Sequence, residues 1–152
     1  MGNKTRRPLL EGKKALVVGI ANEHSIAYGC ARAFREAGAD VAITYLNDKA
    51  KPHVEPLAQA VESPLFLPLD VSKPGDIEAL FKRIRKEWGQ LDIFVHSIAS
   101  AKKEDIKGGL IDCSAEGFAM AMDISVHSFI RMAKLAAPLM KDGGSMFAMS
   151  YH

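Results

Sequence analysis

Two rhythms of apolar and polar positions alternate along this chain: short runs that are apolar throughout, and longer stretches with helical spacing. Lys14 to Gly19 (KALVVG) is an apolar run closed by glycine, the pattern of a strand buried on both faces of a parallel sheet. Ser25 to Ala37 has helical spacing, with Ile26, Ala27, Cys30, Ala33 and Phe34 on its apolar face and Gly38 as its stop. Asp40 to Tyr45 (DVAITY) predicts a second strand from its β-branched and aromatic residues. Asp48 to Val61 predicts a helix that Pro52 and Pro56 make short or irregular. Leu65 to Leu69 is the third strand. Asp76 to Trp88 is an amphipathic helix with Ile77, Leu80, Phe81 and Ile84 inward and Lys82, Arg83, Arg85 and Lys86 outward. Leu91 to Val95 is a fourth buried strand, followed by a polar loop from Ala101 to Gly109 and a mostly helical stretch from Ser114 to Met140. Asp142-Gly143-Gly144 turns the chain into a last strand, Ser145 to Met149.

Strands that alternate with helices imply right-handed crossovers and a parallel sheet. The predicted fold is α/β, a doubly wound, Rossmann-like parallel sheet of five strands in the order 3-2-1-4-5. One domain over residues 13–152 follows a basic tail at 1–12.

Composition narrows the function. With 152 residues, 48% of them hydrophobic and 25% charged, the chain has the length and balance of one globular domain. A net charge of +2 and 7% aromatics offer neither the field nor the stacking surface of a nucleic-acid binder. No apolar run reaches the roughly 18 residues that span a bilayer, and no export signal stands at the start, so a cytoplasmic location is expected. Cys30 and Cys113 lie far apart and fit no metal-ligand or disulfide pattern. No nucleic acid, membrane or metal is expected as a partner.

In a doubly wound sheet, ligands bind at the carboxyl ends of the strands, and four segments fall there. GIANEHSIAYG, Gly19 to Gly29, joins the first strand to the first helix. Its glycine allows a tight turn, and the helix start at Ser25 favours a pyrophosphate. A turn with an N-cap serine is the plainer alternative, because Ala21 and Ile26 stand where a G-x-G-x-x-G fingerprint would have glycines. Asp70-Val71 ends the third strand, where the carboxylate accepts from an adenine amino group or caps the next turn. His96 to Ser100 (HSIAS) closes the fourth strand with small residues that let backbone approach a ribose. For His96, a structural hydrogen-bonded role is weighed above proton transfer. At the end of the second strand Leu46 stands where an acid would bind ribose hydroxyls, and Asp48 serves to cap the next helix. No arginine there receives a 2′-phosphate, which favours NAD(H) over NADP(H).

These segments, with YLNDK, PLDV and the MDIS run at Met122 to Ser125, resemble the NADH-dependent enoyl-acyl-carrier-protein reductases of bacterial type II fatty acid synthesis, members of the short-chain dehydrogenase/reductase superfamily. The resemblance covers the chain from Leu10 to Tyr151. It implies that NADH is the cofactor and that hydride is transferred to the 2,3-double bond of an enoyl thioester on acyl-carrier protein. It implies cofactor contacts at Gly19, Ser25, Ile26, Leu46, Asp70, Val71, Ser97, Ile98, Ala99 and Ile124, a substrate contact at Ala101, and a catalytic tyrosine at Tyr151. Full-length members are expected to be homotetramers. By the same resemblance the chain stops at His152 ahead of a second tyrosine, a lysine shortly after it and the last strands of the family fold. A non-catalytic dinucleotide-binding module is therefore the alternative function.

Overall fold

The computed structural model describes residues 8–150; residues 1–7 of the predicted tail, and Tyr151, lie outside the described residues. Five parallel strands form one sheet in the order β3-β2-β1-β4-β5: β1 (Lys14–Val18), β2 (Asp40–Tyr45), β3 (Leu65–Pro68), β4 (Ile93–His96) and β5 (Ser145–Ala148). The crossovers carry α1 (Ile26–Glu36), α2 (Lys51–Ala60), α3 (Asp76–Glu87), and then α4 (Ala115–Met122) and α5 (Ser128–Ala136), which are joined by a π-helical turn at Asp123–His127.

The sheet divides the core into two layers because successive strand residues point to opposite faces. Leu16, Val18, Ala42 and Phe94 meet Ile77, Leu80, Phe81 and Ile84 of α3 and Met132 and Ala136 of α5. Ala15, Val17, Val41, Ile43, Ile93 and Val95 face Ala27 and Ala31 of α1 and Val54 and Ala58 of α2. Covering both faces is what the unbroken apolar strands require, and each fully buried Leu, Ile, Val or Phe contributes about 1.5–3 kcal/mol. Alignment of Leu16 with Ala42 on one side and Phe94 on the other fixes which residues reach each layer.

Several expectations change in detail. The buried face of α1 is Ala27 and Ala31 with Tyr28 and Phe34 beside them, whereas Ile26 and Ala33 point outward. A residue advances about 100° in a helix, so a face centred on 27, 31 and 34 leaves 26 and 33 outside. Helix α2 is a regular ten-residue helix despite Pro56 in its interior. Pro52 sits in its first turn, where the missing N–H has no partner to lose. Strand β4 begins two residues later than predicted and runs through His96, which pairs with Val18. Leu91 instead donates its N–H to the Leu139 carbonyl at 3.0 Å. Within the segment read as a tail, Leu10 donates to the Ala37 carbonyl at 2.8 Å and packs on the second layer.

Candidate functional site

The site begins at the end of β1. Gly19 has φ +95°, and a Cβ there would stand 2.0 Å from the Ser97 carbonyl oxygen. Only glycine lets the ends of β1 and β4 approach this closely, and Ser97 N–H donates to the Val18 carbonyl at 3.0 Å to close the pair. Beyond Gly19 the loop is folded by Ser25, whose Oγ accepts from the N–H groups of Ala21 (3.0 Å) and Asn22 (3.1 Å). Ser25 occupies the N-cap position, but no side chain caps the helix. Tyr28 N–H bonds the Ser25 carbonyl at 2.9 Å, so the N–H groups of Ile26 and Ala27 are the ones turned to an anion.

Around this loop lies a cleft of about 530 Å³ at the carboxyl ends of the strands. Eight of the ten residues expected at the cofactor line it: Gly19, Leu46, Asp70, Val71, Ser97, Ile98, Ala99 and Ile124. Ser25 and Ile26 do not. Ser25 acts on the cleft through Ala21, which does line it, and Ile26 is 68% exposed at the first position of α1. Ala101 lines a neighbouring shallow apolar pocket with Phe118, Met122 and Ser125; Ala99 and Ser100 belong to both. Tyr151 lies outside the described residues.

Asp70 both builds its own turn and faces the cleft. Its Oδ1 accepts from Ser72 N–H (3.0 Å) and Ser72 Oγ (2.5 Å), and its own N–H donates to Asp76 Oδ2 at 3.1 Å. Oδ2 carries a long 3.9 Å approach of Lys73 Nζ, leaving it free to accept from a ligand. At the end of β2, the turn leading into α2 is held by Asn47 rather than Asp48, and α2 itself has Ala50 at its N-cap and no side-chain cap. Asn47 Oδ1 accepts from Lys49 N–H (3.1 Å) and Ala50 N–H (3.0 Å), because an Asn side chain reaches the N–H two and three residues on, and Asp48 is left exposed. That turn also brings Ala50 and His53 to the cleft, where the buried Thr44 joins them. Sequence reasoning missed all three. Thr44 had a readable signal, a hydroxyl one residue short of a strand end; the approach of α2 had none.

His96 lies beneath the cleft and does not line it. It is 2% exposed and packs edge-on against Phe94 and Phe129. Its Nε2 is 2.7 Å from Ser128 Oγ, which donates its own proton to the Ile124 carbonyl at 2.6 Å. The serine proton being committed, His96 Nε2 is the donor to Ser128 Oγ. Burial holds its pKa below the ordinary histidine value. Among the described residues no group of three or more His, Cys, Asp or Glu is gathered as a metal ion would need.

A parallel sheet opening into a cleft where β1 parts from β4, walled by a glycine turn and a strand-end carboxylate, defines a Rossmann-like α/β protein with a cleft at the switch point. The family described as "Enoyl-(Acyl carrier protein) reductase" matches residues 19–152, and the chain belongs to that family. It is 49% identical over 145 residues to the NADH enoyl-[acyl-carrier-protein] reductase of Aquifex aeolicus, covering 95% of this chain and 54% of the relative. The solved enoyl reductase of Anaplasma phagocytophilum in complex with NAD superposes with a TM-score of 0.90 at 43% identity, over 94% of this chain and 55% of that one. The Bacillus cereus enoyl reductase with NADP+ and indole naphthyridinone gives 0.90 at 37% identity, over 94% and 56%. The chain thus spans about half the length of the curated relatives it matches.

Proposed function

We propose that this chain carries the NADH-binding part of an enoyl reductase, which reduces the 2,3-double bond of an acyl group held as a thioester on acyl-carrier protein. The observation that carries this reading is the gathering of eight expected contact residues on one cleft. Its support is membership of the reductase family, together with relatives described as NADH enzymes and a neighbour solved with NAD.

The residues present fit a dinucleotide. A volume of about 530 Å³ falls within the ordinary range for small-molecule sites, about 300–1,000 Å³. Asp70 would accept from the adenine amino group, with Val71 and Leu46 against the ring faces. The open N–H groups at the start of α1 would meet the pyrophosphate. Ser97, Ile98 and Ala99 would present backbone to the nicotinamide-side ribose, and Ile124 would form an apolar floor. When bound, NADH supplies the hydride. Ala101 would border the acyl group, and Tyr151 matches a family tyrosine of the active site by resemblance.

NADH is favoured over NADPH because Leu46, Asn47 and Asp48 offer no cation to a 2′-phosphate, and the Lys51 ammonium rests over the Tyr45 ring at 5.7 Å. The same reading makes acyl-carrier protein the partner, the cytoplasm the location and a homotetramer the assembly of the whole enzyme. Phe118, Met122, Val126 and Ile130 form an exposed apolar stripe that assembly would cover. Among the described residues no helix is long and apolar enough to cross a membrane. Hydrogen exchange with and without saturating NADH tests the reading. Slowed exchange confined to residues 19–27, 69–72 and 97–100 is expected, and unchanged exchange in those segments would refute it.

A further inference from the structure

The Val71 wall and the Ile124 floor of the cleft belong to elements far apart in sequence, and one side chain joins them. Arg131 on α5 donates from Nη2 to the Val71 carbonyl at 2.9 Å. Arg131 Nη2 also lies 3.7 Å from Asp123 Oδ2, and Asp123 Oδ1 is 3.0 Å from His127 Nδ1. Asp123, His127 and Arg131 therefore lie along one line of the helical rod whose π-helical turn carries Ile124. Another donor of the guanidinium, Arg131 Nε, is buried with no acceptor among the described residues. An unpaired buried donor carries a cost, so the guanidinium is placed by Val71 and Asp123 rather than by the best satisfaction of all its own donors.

Val71 needs such a hold. The last β2–β3 rung is Leu69 N–H to the Tyr45 carbonyl at 2.9 Å, and beyond it the chain leaves the sheet. Residues 70–72 are tied on one side by Asp76 at the start of α3 and by their own Asp70–Ser72 bonds. Arg131 is the tie from α5. We infer that Arg131 is a positioning residue of the cleft: it holds the purine-side wall at Val71 in register with the floor at Ile124, without itself touching the ligand. The inference rests on the reading of the cleft as an NADH site.

The test titrates NADH and AMP into the 152-residue chain and its Arg131→Met and Arg131→Lys variants, at a temperature where thermal melts show all three folded. Loss of one charge-assisted hydrogen bond predicts that Arg131→Met raises both dissociation constants by roughly tenfold. Arg131→Lys, which keeps a cationic donor, restores most of the affinity. A merely stabilising side chain would lower the melting temperature and leave both constants of the folded protein unchanged. If Arg131→Met does not fold, Arg131→Gln takes its place, with the same loss expected. Wild-type binding that persists unchanged in the Met or Gln variant would overturn the inference alone. A wild-type chain that binds neither NADH nor AMP would overturn the cleft reading and, with it, the inference.

Discussion

Asp70 shows how one carboxylate answers two demands. Its Oδ1 is occupied by Ser72, which shapes the turn after β3, while Oδ2 stays available at the cleft. Replacing it with alanine is expected to weaken NADH binding by about 1–3 kcal/mol, the cost of stranding a polar partner. A fluorescence titration of Asp70→Ala checks this, and unchanged affinity would mean the carboxylate serves the turn only. At this scale Gly19 and Asp70 were legible because a strand-end glycine and a strand-end acid each have a specific physical use. Leu46 was legible only through the resemblance, and His53 not at all. Its place depends on Asn47, whose side chain turns α2 toward the cleft. Ser25 was read as meeting the pyrophosphate; its Oγ also accepts from the N–H groups of Ala21 and Asn22, which leaves its own O–H to donate.

Among the elements, α1 separates motif from packing. Gly29 closes the G-x5-S-I-A-x-G pattern, yet a Cβ there would meet nothing within 4 Å. The close approach of α1 to the sheet is made by Ala27 and Ala31 instead. A glycine inside a helix costs about 0.5–1 kcal/mol relative to alanine, so Gly29→Ala is expected to stabilise the chain by about that amount. Urea denaturation measures it; a destabilised variant would show that the open space is needed. The rod from Ala115 to Ala136 was legible as helical, but its π-helical turn was not. That turn sits among contacts that only the assembled fold supplies. Ser125 Oγ accepts from Ser100 N–H at 3.0 Å and Ser128 receives His96, so the same segment grips both the end of β4 and the loop after it. Nothing in local periodicity encodes those partners.

At the scale of the whole molecule, His96 and Asp92 couple stability to pH. His96, buried, has a pKa below that of the unfolded chain. Its stabilising contribution is therefore complete above pH about 6.5, the ordinary histidine value, and is lost as the pH falls below it. For Asp92, burial pushes the carboxyl upward, but the N–H of Lys14, the Lys13 ammonium and the Gln90 amide outweigh it and hold the pKa below the usual carboxylate value. Its contribution is present above the unfolded carboxylate pKa and is lost only as the pH falls through the lower, folded one, so His96 acts first. The urea midpoint is expected to fall between pH 7.5 and 5.5, and His96→Gln should flatten that fall. An equal fall in the variant would place the sensitivity elsewhere.

The strand order was readable from the alternation of buried runs and amphipathic helices, since crossover handedness leaves few topologies. The cleft followed from that order, because β1 is flanked by β2 and β4 and the connections diverge there. The central claim is that this cleft takes NADH. Parallel fluorescence titrations of the 152-residue chain with NADH and NADPH test it most directly. The account predicts saturable binding of NADH, tighter than that of NADPH; absence of NADH binding, or tighter binding of NADPH, would contradict it.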